Sequence, residues 1–381
     1  MIVSITKAVL ATEIFSAIFL VVLLIFTKRQ KLSEWFPASL TAELKGLAIL
    51  MIVFSHIGYF LVSDHRFLWP LSIMAGIGVN LFLFLSGFGL AASQTRQTLS
   101  PWQFYKKRLL KLFVPFWLMI VTFLTADFFI LHITRPWWYV IQSLFGIFTH
   151  ADLYADINSP LWYLTFILGY YLLFPFVFSK TRPWLSALIL YAAGYLLMWW
   201  NPAALANVIY LYRVHIIAFP LGIFVYWAIV RLTLLQGPQI MEKLSRGWRA
   251  IIYYLVLAGL LGVFVYSVIY SGVGVSVNAE QAMSIIALLI LVVVFILKKR
   301  EFRLFYWFGL YSYEIYLWHW PIMYRYDFIY RFMPAGLEWL ALILYLAIFL
   351  GLGWVMMKIA DFLSFKEARP KLRTAGEYEN K

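Results

Sequence analysis

Apolar runs of membrane-spanning length recur along the whole chain, separated by short polar segments. They lie at about 5–27, 44–62, 73–93, 110–131, 160–178, 184–200, 208–230, 249–271, 281–297, 303–322 and 337–361. A bilayer core of about 30 Å takes about 20 helical residues to cross. Backbone groups inside lipid must be satisfied within the element itself, which favours helices. The pattern therefore predicts an all-α, polytopic transmembrane helix bundle of about 11 spans. The stretch 303–322 fits least well, because it holds Arg303, Glu314 and His319. The first run resembles a signal peptide, with Lys7 ahead of it, but it ends at Lys28-Arg29-Gln30-Lys31 without a small-residue cleavage site. A retained span is expected there.

Composition agrees with this reading. The 381 residues are 64% hydrophobic and 13% charged, against roughly 25% charged in a soluble domain. The absence of cysteine excludes disulfides, thiolate nucleophiles and cysteine-ligated metals. A net charge of +14 would suit a nucleic-acid binder, but its distribution argues against nucleic acid as a partner. One set of alternate loops carries Lys28/Arg29/Lys31, Arg96 to Arg108, Lys180/Arg182, Arg231 to Arg249, Lys298-Lys299-Arg300 and the tail with Lys366, Arg369, Lys371 and Arg373. The other set is sparse and mixed in charge. By the positive-inside rule the N-terminus lies outside and the C-terminus in the cytoplasm, which needs an odd number of spans. Membrane lipids are then the first partners expected.

Ionisable groups inside a bilayer are costly and are often retained for function. His56 follows the apolar stretch 47–55. Lys45, 11 residues earlier, lies about 16 Å down the same helix and within about 20° of the same face. Imidazole can take a proton from a hydroxyl and return it, or it can serve as a structural hydrogen-bonding group. Lys45 can attract phosphate at the cytoplasmic surface or simply snorkel there. Arg108 and Lys111 share one helical face and suit a phosphorylated cofactor or ordinary topology determination. No Walker or dinucleotide fingerprint accompanies them.

Asn80 and Ser86 lie in the run Gly76 to Phe88, where packing between helices competes with a role as hydrogen-bond donors at a reaction centre. Glu314 needs a cation, with Lys45, Arg213 or a histidine as candidate partners. Trp162, Tyr163, Arg213, His215, Tyr313 and His319 cluster toward span ends on the outer side, as a substrate-binding set. The six histidines show no metal-ligand spacing, so no metal is expected. The outer loop 132–159, with Trp137, Trp138, His150, Asp152 and Asp156, suits either a sugar-binding surface or an interfacial anchor.

The ordered set of these segments resembles the integral-membrane acyltransferase-3 family, with its sugar O-acetyltransferases and fucose 4-O-acetylase-like branch. The resemblance rests on 44–56, Phe82 to Phe88, Arg108 with Lys111, Trp162-Tyr163-Leu164, Arg213 with Gly222, and 311–319, and it covers about 44–361. It implies a ten-helix core, here with one additional N-terminal helix. Residues 1–43 would hold that helix and a cytoplasmic linker, 44–362 the acyltransferase domain, and 363–381 a cytoplasmic polar tail.

The family's activity implies transfer of an acetyl group from cytoplasmic acetyl-CoA to a hydroxyl of a cell-surface glycan or lipid-linked sugar, in the cytoplasmic membrane of a bacterium. His56 falls on the family's essential histidine, as base or transient acyl carrier, with Glu314 and Ser86 as further catalytic candidates. Lys45 falls at a position often held by arginine and Arg108 and Lys111 on the paired basic residues assigned to CoA contact, which makes the three the cofactor-binding candidates. Homodimerisation is left open. Ala42 stands where an aspartate is common, and the Trp162 to Ile167 segment lacks the glutamate of the more common polysaccharide-acylating branch. The rival class is a proton-coupled transporter of a glycan-related small molecule, with His56 and Glu314 as its relay.

Overall fold

The computed structural model describes residues 3–30, 36–234, 246–272 and 275–363. It is a helix bundle: α1 (Ala8–Ile25), α2 (Ala38–Ser55), α3 (Ala75–Arg96), α4 (Pro101–Phe129), α5 (Trp137–Leu144), α6 (Trp162–Val177), α7 (Pro183–Trp200), α8 (Ile209–His215), α9 (Ala218–Leu234), α10 (Arg246–Ile269), α11 (Val277–Leu297), α12 (Arg303–Leu310), α13 (Ser312–Trp320) and α14 (Glu338–Leu363). Two three-residue strands, β1 (Thr27–Arg29) and β2 (Arg300–Phe302), pair antiparallel. Among the described residues ten helices are long and apolar enough to cross a membrane. The tail beyond Leu363 and most of the Arg231 to Arg249 segment lie outside the described residues.

The stretch 303–322 is not one continuous helix. It forms α12 and α13, separated at Tyr311, and continues into a π-helical turn at Pro321–Arg325. The pair nevertheless runs alongside α2 for most of its length. Glu43 accepts from the Phe302 amide at one end, and His56 meets His319 at the other.

The central helices are apolar all round, as expected for buried helices. Of the α2 span 72% is buried, against 17% of α1 and 11% of 251–269, so α2 is the axis and the others present apolar faces outward. Glycine sets the closest contact. A Cβ on Gly46 would stand 1.7 Å from the Phe305 carbonyl, and one on Gly309 would stand 1.7 Å from that of Ala42. Only hydrogen fits there, so the α2 and α12 backbones touch, the kind of close approach small residues permit in membranes.

Charged groups gather at the same end of α2. The fully buried Glu43 carboxylate holds Lys298 Nζ at 2.9 and 3.0 Å. Lys28 pairs with Glu301 at 3.0 Å across the two strands. Nearby, α4 starts with a capping box in which Ser100 and Gln103 bond each other's backbone amides. This fixes the register that carries Arg108 toward Lys45.

The other end is closed by the 132–159 loop. Buried Asp127 accepts from Arg325, from Arg135 at 3.2 Å and from Tyr326 at 2.8 Å. Arg135 also donates to the Ala155 carbonyl and Arg325 to that of Asp156, so one carboxylate ties the loop to the turn after α13. Within the loop, Trp137 and Trp138 project outward. Asp152 accepts from the Tyr154 and Ala155 amides, which hold its carboxyl below the usual carboxylate range. Asp156 accepts from the Asp152 amide. Both carboxylates are thus engaged in shaping the loop.

Candidate active site

α2 ends at Ser55, and His56 begins a π-helical turn running to Phe60. Such turns widen the backbone ladder and recur at functional sites. α13 ends at Trp320 and is followed by its own π-helical turn, so the two histidines sit at matching positions near the ends of neighbouring helices. His56 Nδ1 lies 2.7 Å from His319 Nε2. The ring planes differ by 5° with centroids 5.0 Å apart, which describes two imidazoles joined edge to edge.

The backbone decides the direction of that bond. His319 Nδ1 lies 2.8 Å from the Tyr316 carbonyl and 3.1 Å from that of Ile315. A carbonyl only accepts, so His319 Nδ1 carries the proton and, with the ring neutral, Nε2 carries a lone pair. His56 Nδ1 must then donate to it. The one ring nitrogen of His56 left with a lone pair is Nε2, the form needed in a general base. If Nε2 gains a proton, Nδ1–H still donates to His319 and the new charge remains hydrogen-bonded. This is the logic of a histidine oriented by a partner behind it, with an imidazole in place of a carboxylate.

His56 opens onto a cavity of about 150 Å³ lined by side chains that include Ser55, Ser72, Trp162, Tyr163, His215, Glu280 and Tyr316. Trp320 packs its ring against His56 at 5.0 Å. The loop before α6 braces this wall. The Tyr316 hydroxyl donates to the Pro160 carbonyl at 2.7 Å, and Asn158 donates to the Leu317 carbonyl at 2.9 Å.

The basic candidates form a separate group. Lys45 is within electrostatic range of Arg108 and Glu314. Lys45, one of the candidate partners for Glu314, is therefore near it, while Arg213 is exposed and donates to Asn278 at 3.4 Å. Arg108 has a buried Nε with no hydrogen-bond partner among the described residues, a donor available to an anionic group. Lys111, one turn on, is exposed.

Between this group and His56 lies a cluster of tyrosines. The Tyr171 hydroxyl meets Ser86 Oγ at 2.7 Å and is near Arg108. Tyr163 packs on Tyr316 at 5.5 Å and Tyr313 on Tyr316 at 6.3 Å. Tyr313 donates to the Leu112 carbonyl at 2.8 Å. Ser86 thus belongs to the Tyr171 side and does not line the His56 cavity. Asn80 is fully buried and holds His215, at 2.8 Å, from behind.

Several residues at the cavity carried no sequence signal strong enough to single them out. Ser72 follows a loop, Tyr316 is one aromatic among many, and Glu280 falls at the end of the polar segment 272–280. The Ser276 cap four residues before Glu280 was the available hint that it opens a helix. No group of three or more histidine, aspartate and glutamate side chains able to hold a metal occurs among the described residues.

A polytopic helix bundle with a hydrogen-bonded histidine pair beside a cavity defines a polytopic membrane protein. Residues 44–358 match the acyltransferase-3 family model, an acyltransferase domain, and the chain belongs to that family. The match begins at Leu44, within α2, so α1 precedes it. No curated protein and no solved structure matches the chain.

Proposed function

We propose that this membrane acyltransferase moves an acetyl group from cytoplasmic acetyl-CoA to a hydroxyl of a cell-surface glycan or lipid-linked sugar, with His56 as general base. The observation that carries the reading is the His319–His56 pair, which leaves His56 Nε2 unprotonated at the cavity wall. His56 Nε2 accepts the acceptor hydroxyl proton as that oxygen attacks the thioester carbonyl. The carbon–sulfur bond breaks and the proton passes to the departing thiolate. A transient acyl-histidine is the variant of this route in which Nε2 itself attacks.

Arg108, with its free Nε, and Lys45 would hold the phosphates of the donor, and Lys111 would extend that surface. The convergence of Lys28, Lys45, Arg108 and Lys298 at one end of α2 supports placing that end in the cytoplasm, with the N-terminus outside, in the plasma membrane of a bacterium. The acyl arm must then pass the Tyr163, Tyr171, Tyr313 and Tyr316 cluster to reach His56.

Purified protein in lipid nanodiscs, given acetyl-CoA labelled in its acetyl group and lipid-linked or surface glycans, tests this. Label in the glycan, lost in H56A, supports the enzyme. Passage of acceptor across the bilayer without modification would instead support a transporter.

A further inference from the structure

The cavity beside His56 has a second polar group, contributed by α8 and α11. Its hydrogen-bond directions are fixed by a buried relay. Ser284 Oγ donates to the Gln281 carbonyl at 3.2 Å, so its oxygen accepts from Asn80 Nδ2 at 2.8 Å. Asn80 Oδ1 is then the atom facing His215 Nδ1 at 2.8 Å, and it can only accept. His215 Nδ1 therefore carries the proton and His215 Nε2 carries a lone pair. The ring is held flat by Trp162, stacked at 5.6 Å with 20° between planes.

Glu280 shares this end of the cavity. Its carboxylate makes no hydrogen bond or ion pair with any described residue, yet it lines the same space as His215 and His56. Gly76 lies beneath both. A Cβ there would stand 3.4 Å from Glu280 Oε1 and 3.8 Å from His215 Cε1, which places carboxylate and imidazole over one backbone position. A third group lacks a partner as well. Ser72 Oγ lines the cavity, is buried and has no hydrogen bond among the described residues. A buried polar atom left unpaired is costly and calls for a partner.

We propose that Glu280 and His215 form the subsite that reads the acceptor, selecting the vicinal hydroxyls of a neutral sugar and rejecting an anionic one. When Glu280 is ionised, its carboxylate and the imidazole lone pair both accept, so the matching ligand brings two neighbouring donors, and a second negative charge beside Glu280 is repelled. Sites built around buried acceptors discriminate strongly, because a ligand without donors leaves them unpaired. This inference rests on the acyl-transfer reading for its meaning, but its test reads binding and does not require turnover.

Full-length protein in nanodiscs would be titrated with methyl α-glucopyranoside and with the corresponding methyl glucuronide, by saturation-transfer NMR. The wild-type chain is expected to bind the neutral glycoside at least tenfold more tightly than the uronide. E280Q should lower that preference tenfold or more by weakening the glycoside and admitting the uronide, a change that loss of packing alone would not produce. G76V, which fills the floor without altering charge, should weaken both probes. An unchanged preference in E280Q, or a wild-type chain that fails to bind the glycoside, overturns the subsite. Normal glycoside binding with no acetyl transfer in the wild type would overturn the acyl-transfer reading and leave the subsite standing.

Discussion

His319 Nε2 accepts from His56 Nδ1 at 2.7 Å because His319 Nδ1 keeps its proton and donates it in a hydrogen bond to the Tyr316 carbonyl. The orientation of the proposed base is thus written in helical backbone one turn away, on a different element. Replacing His56 with alanine should lower acetyl transfer by about 10³-fold or more, within the range general-base catalysis supplies. Insertion should be unchanged. Transfer by H56A at the wild-type rate would remove His56 from the mechanism.

His319 acts through His56, so its removal should be milder and of a different kind. H319A is expected to lower kcat by about 10²-fold with little change in the KM for acetyl-CoA. H319Q, whose amide oxygen can accept from His56 Nδ1, should recover part of the loss. Protonated His56 cannot serve as base, so wild-type kcat should fall toward acid pH, and the midpoint of that limb should move in H319A. A pH–rate profile identical in the two proteins would make His319 a packing residue only.

The donor side predicts a separate signature. R108Q should raise the KM for acetyl-CoA about tenfold, equivalent to about 1.4 kcal/mol, while leaving the affinity for acceptor probes unchanged. Isothermal titration with coenzyme A provides the direct measurement. Equal affinity in R108Q and wild type would move the donor site elsewhere.

Glu43 and Lys298 predict stability. Removing one partner of a buried pair strands the other charge, at a cost of about 3–5 kcal/mol. E43A also deprives the Phe302 amide of its acceptor, so it should melt well below the wild type. The double substitution E43M/K298M should regain much of the difference. If E43A melts with the wild type in nanodiscs, the pair contributes little to holding α12 against α2.

Gly309 tests the helix contact itself. G309V places methyl groups where the Ala42 carbonyl already lies, and overpacking of this kind typically costs about 1–3 kcal/mol. Because α12 leads directly into α13, the variant should also pull His319 away from His56. Lower stability together with a kcat resembling that of H319A is the expected outcome, and reduced stability with full activity would uncouple the two.

Much of this protein was legible in local pattern. Hydropathy over windows of about 20 residues marked the membrane helices, because lipid imposes the same demand on every crossing segment. The rarity of ionisable groups in those segments drew attention to His56, Lys45, Glu314 and His319. It could not say that Tyr311 would interrupt the stretch 303–322, since an aromatic residue there breaks no propensity rule.

What the fold alone decided was who faces whom. His56 and His319 are 263 residues apart, and Asn80 and His215 are separated by 135; no periodicity reaches across such distances. Ser86 and Asn80 read alike in sequence, yet the packing of α3 turned one toward Tyr171 and the other toward Ser284 and His215. Glu280 stands just before the apolar run 281–297, and only α11 brings its carboxylate to the cavity beside His215. Sequence fixes which side chains are costly to bury. Their hydrogen-bond directions, and therefore their chemistry, arise only when distant backbones are brought within bonding distance.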